Sequence, residues 1–108
     1  MNESSDIDPV SKFATEKAPR TSVGILPSGE LLLLQVDGIE SVKQGLDLFE
    51  FAEVLIDAGG AQHAINLDGG GSSVSVQGGK VISRPTCVDT PEPVCERAVT
   101  SITCIKPL

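Results

Sequence analysis

The sequence predicts an α+β protein: a mixed β-sheet with one main amphipathic helix, forming part of a larger α+β domain. Three observations carry this. Short apolar runs bounded by Gly, Pro and Ser recur along the chain and have strand length. One stretch only, "GLDLFEFAEVLIDAGG", has a helical period. The run Leu31–Leu34 has no polar alternation, so its strand is expected to be buried on both faces, and a single helix cannot cover both.

The elements follow in order. Residues 1–19 are polar, end in "EKAP" and read as a loop or linker. "RTSVGIL" and "ELLLLQVDG" are strands joined through the turn residues "PSG". In the helix, Asp47 is the expected cap, with Glu50 three residues on completing a capping box and Leu46 placed to staple onto Phe51. Leu48, Phe51, Ala52, Leu55 and Ile56 form its core face, and Gly59 and Gly60 end it. "HAINLDG" is the next strand. "SSVSVQ" and "KVISR" form a hairpin around Gly78-Gly79, and "VTSITCI" is a last strand.

Composition excludes several function classes. The chain has 108 residues and is 40% hydrophobic, enough for a core, which must be aliphatic with three Phe and no Trp or Tyr. A formal charge of −7 argues against nucleic acid, whose phosphates need clustered Lys and Arg, but leaves room for a single anion site built on one Arg. No apolar run approaches the roughly 20 residues of a membrane span, and the opening "MNESSDIDPVSKF" is too acidic for a signal peptide.

Cys87, Cys95 and Cys104 crowd the last quarter without zinc-ligand spacing. Pro91 and Pro93 between Cys87 and Cys95 suggest a disulfide-stapled surface loop; three free thiols in a cytosolic protein is the alternative. The odd count leaves one cysteine free or paired outside this stretch. With the sequon at Asn2, the cysteines favour the secretory pathway.

The stretch "AINLDGGGSSVSV" carries the chemistry. On a strand, Ala64, Asn66 and Asp68 share one face, and His63, Ile65 and Leu67 the other. Gly69, Gly70 and Gly71 then let the backbone bend and something approach it closely, and their amides form a possible anion nest. The bland reading is a tight turn in which Asp68 caps backbone amides. A P-loop is excluded, since there is no Lys and a strand follows; one carboxylate does not make a calcium loop. The lone His63 points away from Asp68 and is left out of the site.

"NLDGGGSS" after that helix, preceded by "RTSVGI" and "QVDG", resembles the phosphodiester glycosidase family. The resemblance runs from about Ser11 to Ile105 and implies that 20–108 is the C-terminal half of the family's catalytic domain, with an upstream half-domain as its missing partner. It implies hydrolysis of a sugar-1-phosphodiester, with GlcNAc-α-phosphomannose on lysosomal enzyme glycans as substrate, in the Golgi, with no cofactor or metal. The carried-over roles are catalytic for Asp68 and Asp37. Substrate binding falls to Arg20, Thr21, Asn66, Gly69, Gly70, Gly71 and Ser72. The resemblance also implies a short loop closed by two of the cysteines, with the third pairing upstream. The alternative is a non-catalytic fragment or isoform that keeps a carbohydrate- or phosphate-binding surface; a structural module is weaker still.

Overall fold

The structure is a computed structural model, and it describes residues 11–86 and 95–106. Elements run in the order α1 (Lys12–Thr15), β1 (Arg20–Ile25), β2 (Leu31–Val36), α2 (Leu48–Asp57), β3 (His63–Asn66), β4 (Val76–Gln77) and β5 (Lys80–Val81). Sheets and one main helix make this an α+β fold.

The first departure from expectation lies in the supposed linker. Residues 12–15 form a one-turn helix, capped by Ser11, whose Oγ accepts from the Ala14 amide at 3.2 Å. Ala14 and Ala18 are buried, so this segment belongs to the packed structure. An isolated bridge between Ala18 and Leu46 ties it to the entrance of α2.

The three-stranded sheet has the order β2-β1-β3. Where the sequence suggests a mixed sheet, both pairings are antiparallel, with Val23 opposite Leu33 on one side and Ile65 on the other. Because opposed residues share a face, Leu31, Leu33, Val23, Ile25 and Ile65 form one face, and Leu32, Leu34, Ser22 and Ala64 the other.

The capping box of α2 is present: the Glu50 amide donates to Asp47 Oδ1 at 2.8 Å and the Asp47 amide to Glu50 Oε1 at 3.1 Å. Phe51, 1% exposed, and Leu55 are buried. Ala52 is exposed and Ile56 is 62% exposed, so the expected core face is only partly covered. With Ala61 and Ala64 they line an open cavity of 310 Å³ between α2 and β3. The β4–β5 hairpin turns at Gly78 (φ 60°) and Gly79 (φ 76°), the left-handed pair that matches strand twist.

The four-leucine strand is covered on one face only. Leu32 and Leu34 are half-buried, while Leu31 is 64% exposed and Leu33 is exposed. The expected last strand does not form among the described residues; Val99, Ile102 and Ile105 are exposed. A strand needs a neighbour to satisfy its backbone, and none lies beside this segment among the described residues. At about 25 cal/mol per Å² of apolar surface, such a bare face forgoes several kcal/mol. The 108-residue chain alone is therefore expected to unfold without a sharp transition and to bind a hydrophobic dye. Coincident, cooperative melting by near- and far-UV circular dichroism would show that the bare face is tolerated.

Candidate functional site around Asp68

The site is assembled where β1 begins and β3 ends. The Leu67 amide donates to Thr21 O at 2.8 Å, one step past the β1–β3 ladder, and the Gly70 amide to Pro19 O at 2.9 Å. The chain thus runs alongside Pro19–Thr21 and brings Asp68 and the glycines beside Arg20. Gly70–Ser72 then forms a 3-10 turn, with the Ser72 amide bonded to Gly69 O and that of Ser73 to Gly70 O. Of the three glycine amides expected to form an anion nest, that of Gly70 is already spent on the chain, as are the amides of Ser72 and Ser73 that follow.

Three glycines are needed here for a reason other than the expected one. A methyl at Gly69 would stand 2.8 Å from Pro19 O, and one at Gly70 would stand 2.7 Å from Glu40 Oε2. One at Gly71 would stand 3.0 Å from Arg97 Cζ and from Thr86 O. The atoms that come close to the backbone are the chain's own. Gly70 also has φ 57°, which a side chain would strain.

Arg20 is 4% exposed. Its Nε donates to Leu46 O at 3.1 Å, and Nη2 donates to Phe13 O at 3.1 Å and Glu16 O at 2.7 Å. The guanidinium lies 5.3 Å from the centroid of the Phe13 ring, within cation–π range. It therefore satisfies carbonyls at the end of α1 and gives a second donor to Leu46 O, which also accepts from the Ala18 amide. Burial pushes its pKa down, while the charges of Glu16, Asp47 and Glu40 pull it back up. Nη1 makes no hydrogen bond among the described residues, and Arg20 lines a cavity of 210 Å³.

That cavity also receives Asp68, Gly69, Gly70 and Gly71, together with Glu40 and Arg97. Asp68 is exposed and has no hydrogen bond or ion pair among the described residues, so it caps no amide there. The other predicted site residues lie elsewhere. Asp37 is held apart from that cavity: Oδ1 accepts from Gln35 Nε2 at 2.9 Å and Oδ2 from the Arg84 amide at 3.0 Å. It stitches β2 to the segment after β5 and does not line the cavity. Gln35 extends this stitch by donating to Ser73 O at 3.0 Å.

Thr21 sits on the sheet face opposite Arg20, its Oγ1 buried without a partner among the described residues. Asn66 lines the α2–β3 cavity instead, and so does His63. Ser72 is half-buried and outside the Asp68 cavity. Glu40 and Arg97 carried no signal in the sequence, since neither lies in a motif or on a periodic face. Local folding seats them: the Cys95 amide donates to Pro85 O at 3.1 Å, and Thr86 Oγ1 to Gly38 O at 2.8 Å.

Cys104 is exposed and free, and Cys95 is disulfide-bonded. Cys87 and the sequon at Asn2 lie outside the described residues. Among the described residues, no three His, Cys, Asp or Glu side chains gather as a metal site, and no helix is long and apolar enough to cross a membrane.

Comparison with known proteins gives a consistent set of relatives. The phosphodiester glycosidase family profile matches residues 3–106. The chain is 37% identical over 106 residues to the mouse N-acetylglucosamine-1-phosphodiester alpha-N-acetylglucosaminidase, covering 96% of this chain and 20% of that protein. The catalytic domain of the zebrafish enzyme of that name, solved in a form auto-inhibited by its pro-peptide, is similar with a TM-score of 0.70 and 36% identity. That match covers 80% of this chain and 28% of the zebrafish chain. A Burkholderia pseudomallei protein is similar with a TM-score of 0.60 and 37% identity over 72% of this chain and 15% of its own. The chain thus spans about a fifth of the length of the mouse relative.

Proposed function

The chain belongs to the phosphodiester glycosidase family, and from that premise we propose that it is a hydrolase forming one side of a site that cleaves a sugar-1-phosphodiester. The proposed reaction removes GlcNAc from GlcNAc-α-phosphomannose on lysosomal enzyme glycans. The observation that carries this reading is Asp68, a carboxylate with no hydrogen bond or ion pair among the described residues, in one cavity with two arginines. A turn Asp would be tied to amides. This one is available to a ligand.

The chemistry suits such a pair of charges. The C1–O bond breaks, and its electron pair leaves on a phosphate oxygen that is already a good leaving group. Asp68 stabilises the positive charge that develops at C1. Water supplies the new hydroxyl at C1, its proton passing to solvent, and a phosphomonoester remains. Positive charge in the cavity neutralises the departing phosphate.

The test distinguishes which bond breaks. The chain is assayed alone and fused to the complementary part of the mouse relative's domain, on a GlcNAc-α-phosphodiester in 18O-labelled water. Label in the released sugar supports glycosidic cleavage. Label in phosphate, or no release in either arm, overturns the reading. The second reading, a non-catalytic chain with a binding surface, is favoured by the bare apolar face of the sheet, and it predicts binding without release in both arms.

We place the protein in the secretory pathway, in the Golgi, acting on glycoproteins, with the bare sheet face covered by the part of the family domain that lies outside this stretch. A Cys87–Cys95 bridge closing the proline loop belongs to this reading. Non-reducing peptide mapping is expected to recover those two cysteines linked and Cys104 apart from both. A Cys95–Cys104 peptide would refute the pairing.

A further inference from the structure

We propose that Arg97 is the phosphate-binding residue of the Asp68 cavity, and that Gly71 lacks a side chain in order to seat its guanidinium there. This rests on the phosphodiester reading above and assigns the leaving group's subsite. Two arginines line the cavity, and they are differently placed. Arg20 is 4% exposed, and burial disfavours its charge. It is part of the frame. Arg97 comes from a segment distant in the chain, two residues after Cys95, and is half-buried. Its Cζ and Nη2 lie 3.0 and 3.1 Å from the point a Gly71 methyl would occupy, which places the guanidinium against the turn that follows Asp68.

The consequence is a cavity in which a carboxylate and a planar cation meet at one turn. A sugar-1-phosphodiester has its positive-going centre at C1 and its anionic phosphorus one oxygen away. The Asp68 end suits the first and the Arg97 end the second, since a guanidinium fork matches two phosphate oxygens. Glu40, seated over Gly70, faces the same space and disfavours anions there. The phosphate is thereby directed to the Gly71 side.

The test measures binding in an Asp68→Asn background, so that the probe is not consumed, using the fused chain described above. The probes are the methyl phosphodiester of GlcNAc-α-phosphate and the neutral methyl α-glycoside of GlcNAc. Arg97→Gln is expected to weaken the phosphodiester by about 10- to 100-fold, the loss of a charged hydrogen-bonding partner, and to leave the neutral glycoside unchanged. Arg97→Lys is expected to restore part of the loss. Gly71→Ala, which keeps the guanidinium but displaces it, should weaken the phosphodiester selectively as well. If the background protein binds both probes equally, the phosphodiester reading fails and this inference with it. If the background prefers the phosphodiester and Arg97→Gln keeps that preference, only the assignment of Arg97 fails. Unfolding midpoints on the same samples check folding. Should Arg97→Gln not fold, undiminished phosphodiester preference in Gly71→Ala and Arg97→Lys overturns the assignment.

Discussion

Replacing Asp68 by Asn is expected to leave stability within about 1 kcal/mol while lowering turnover of a GlcNAc-α-phosphodiester by roughly 100- to 1,000-fold. The substitution keeps size and removes charge. The structural half of this expectation follows from geometry: Asp68 is exposed and holds no amide, cation or hydroxyl among the described residues, so its loss leaves nothing unsatisfied there. The functional half follows from the charge that must be met at C1 as the phosphate departs. An amide cannot supply it. Unfolding midpoints and steady-state kinetics on one preparation of the fused chain decide the matter. A stable Asp68→Asn protein with near-normal turnover would remove Asp68 from catalysis, and a protein that has lost its stability would make Asp68 a turn residue after all.

Arg20→Lys is expected to do the reverse, costing roughly 3 kcal/mol of stability with a smaller effect on turnover per folded molecule. Lys is a point cation and cannot reach Leu46 O, Phe13 O and Glu16 O at once from one stem. Leu46 O keeps the Ala18 amide, but Phe13 O and Glu16 O lose the donor that Arg20 supplies, and each costs its desolvation. The loss should be local as well as global, with faster hydrogen exchange at Glu16 and Ala18, whose amides bond to Lys12 O and Leu46 O in the segment Arg20 clamps. An Arg20→Lys protein with the parental midpoint and a KM raised tenfold would instead mean that the guanidinium works on substrate.

The two predictions divide residues that the sequence could not separate. Arg20 and Asp68 both stand in motifs, and each motif names a residue without naming its neighbours. What could be read locally is present: the Asp47–Glu50 capping box, the Gly78-Gly79 hairpin, and strands at Arg20–Ile25 and Leu31–Val36. The capping box and the hairpin turn depend on contacts within a few residues, and β1 and β2 on pairing across one short turn, so neighbouring residues carry the information. The segment 99–105 shows the limit. Its alternation is strand-like, yet among the described residues it makes no strand, because pairing is a property of two segments.

The same limit governs the site. That Asp68 follows a strand and precedes a glycine turn was settled by sequence, since alternation and glycine's freedom are local properties. Which charges share its cavity was not. Asp37 lies 31 positions from Asp68 and Glu40 lies 28, so separation in the chain does not distinguish them. Tertiary structure does: Asp37 is drawn off by Gln35 and the Arg84 amide, while Glu40 and Arg97 fit into the spaces left by Gly70 and Gly71. A glycine in a sequence announces that something will come close to the backbone. What comes close is decided by how distant segments pack, because van der Waals contact and hydrogen bonding act only at a few ångströms and only folding brings those partners into range.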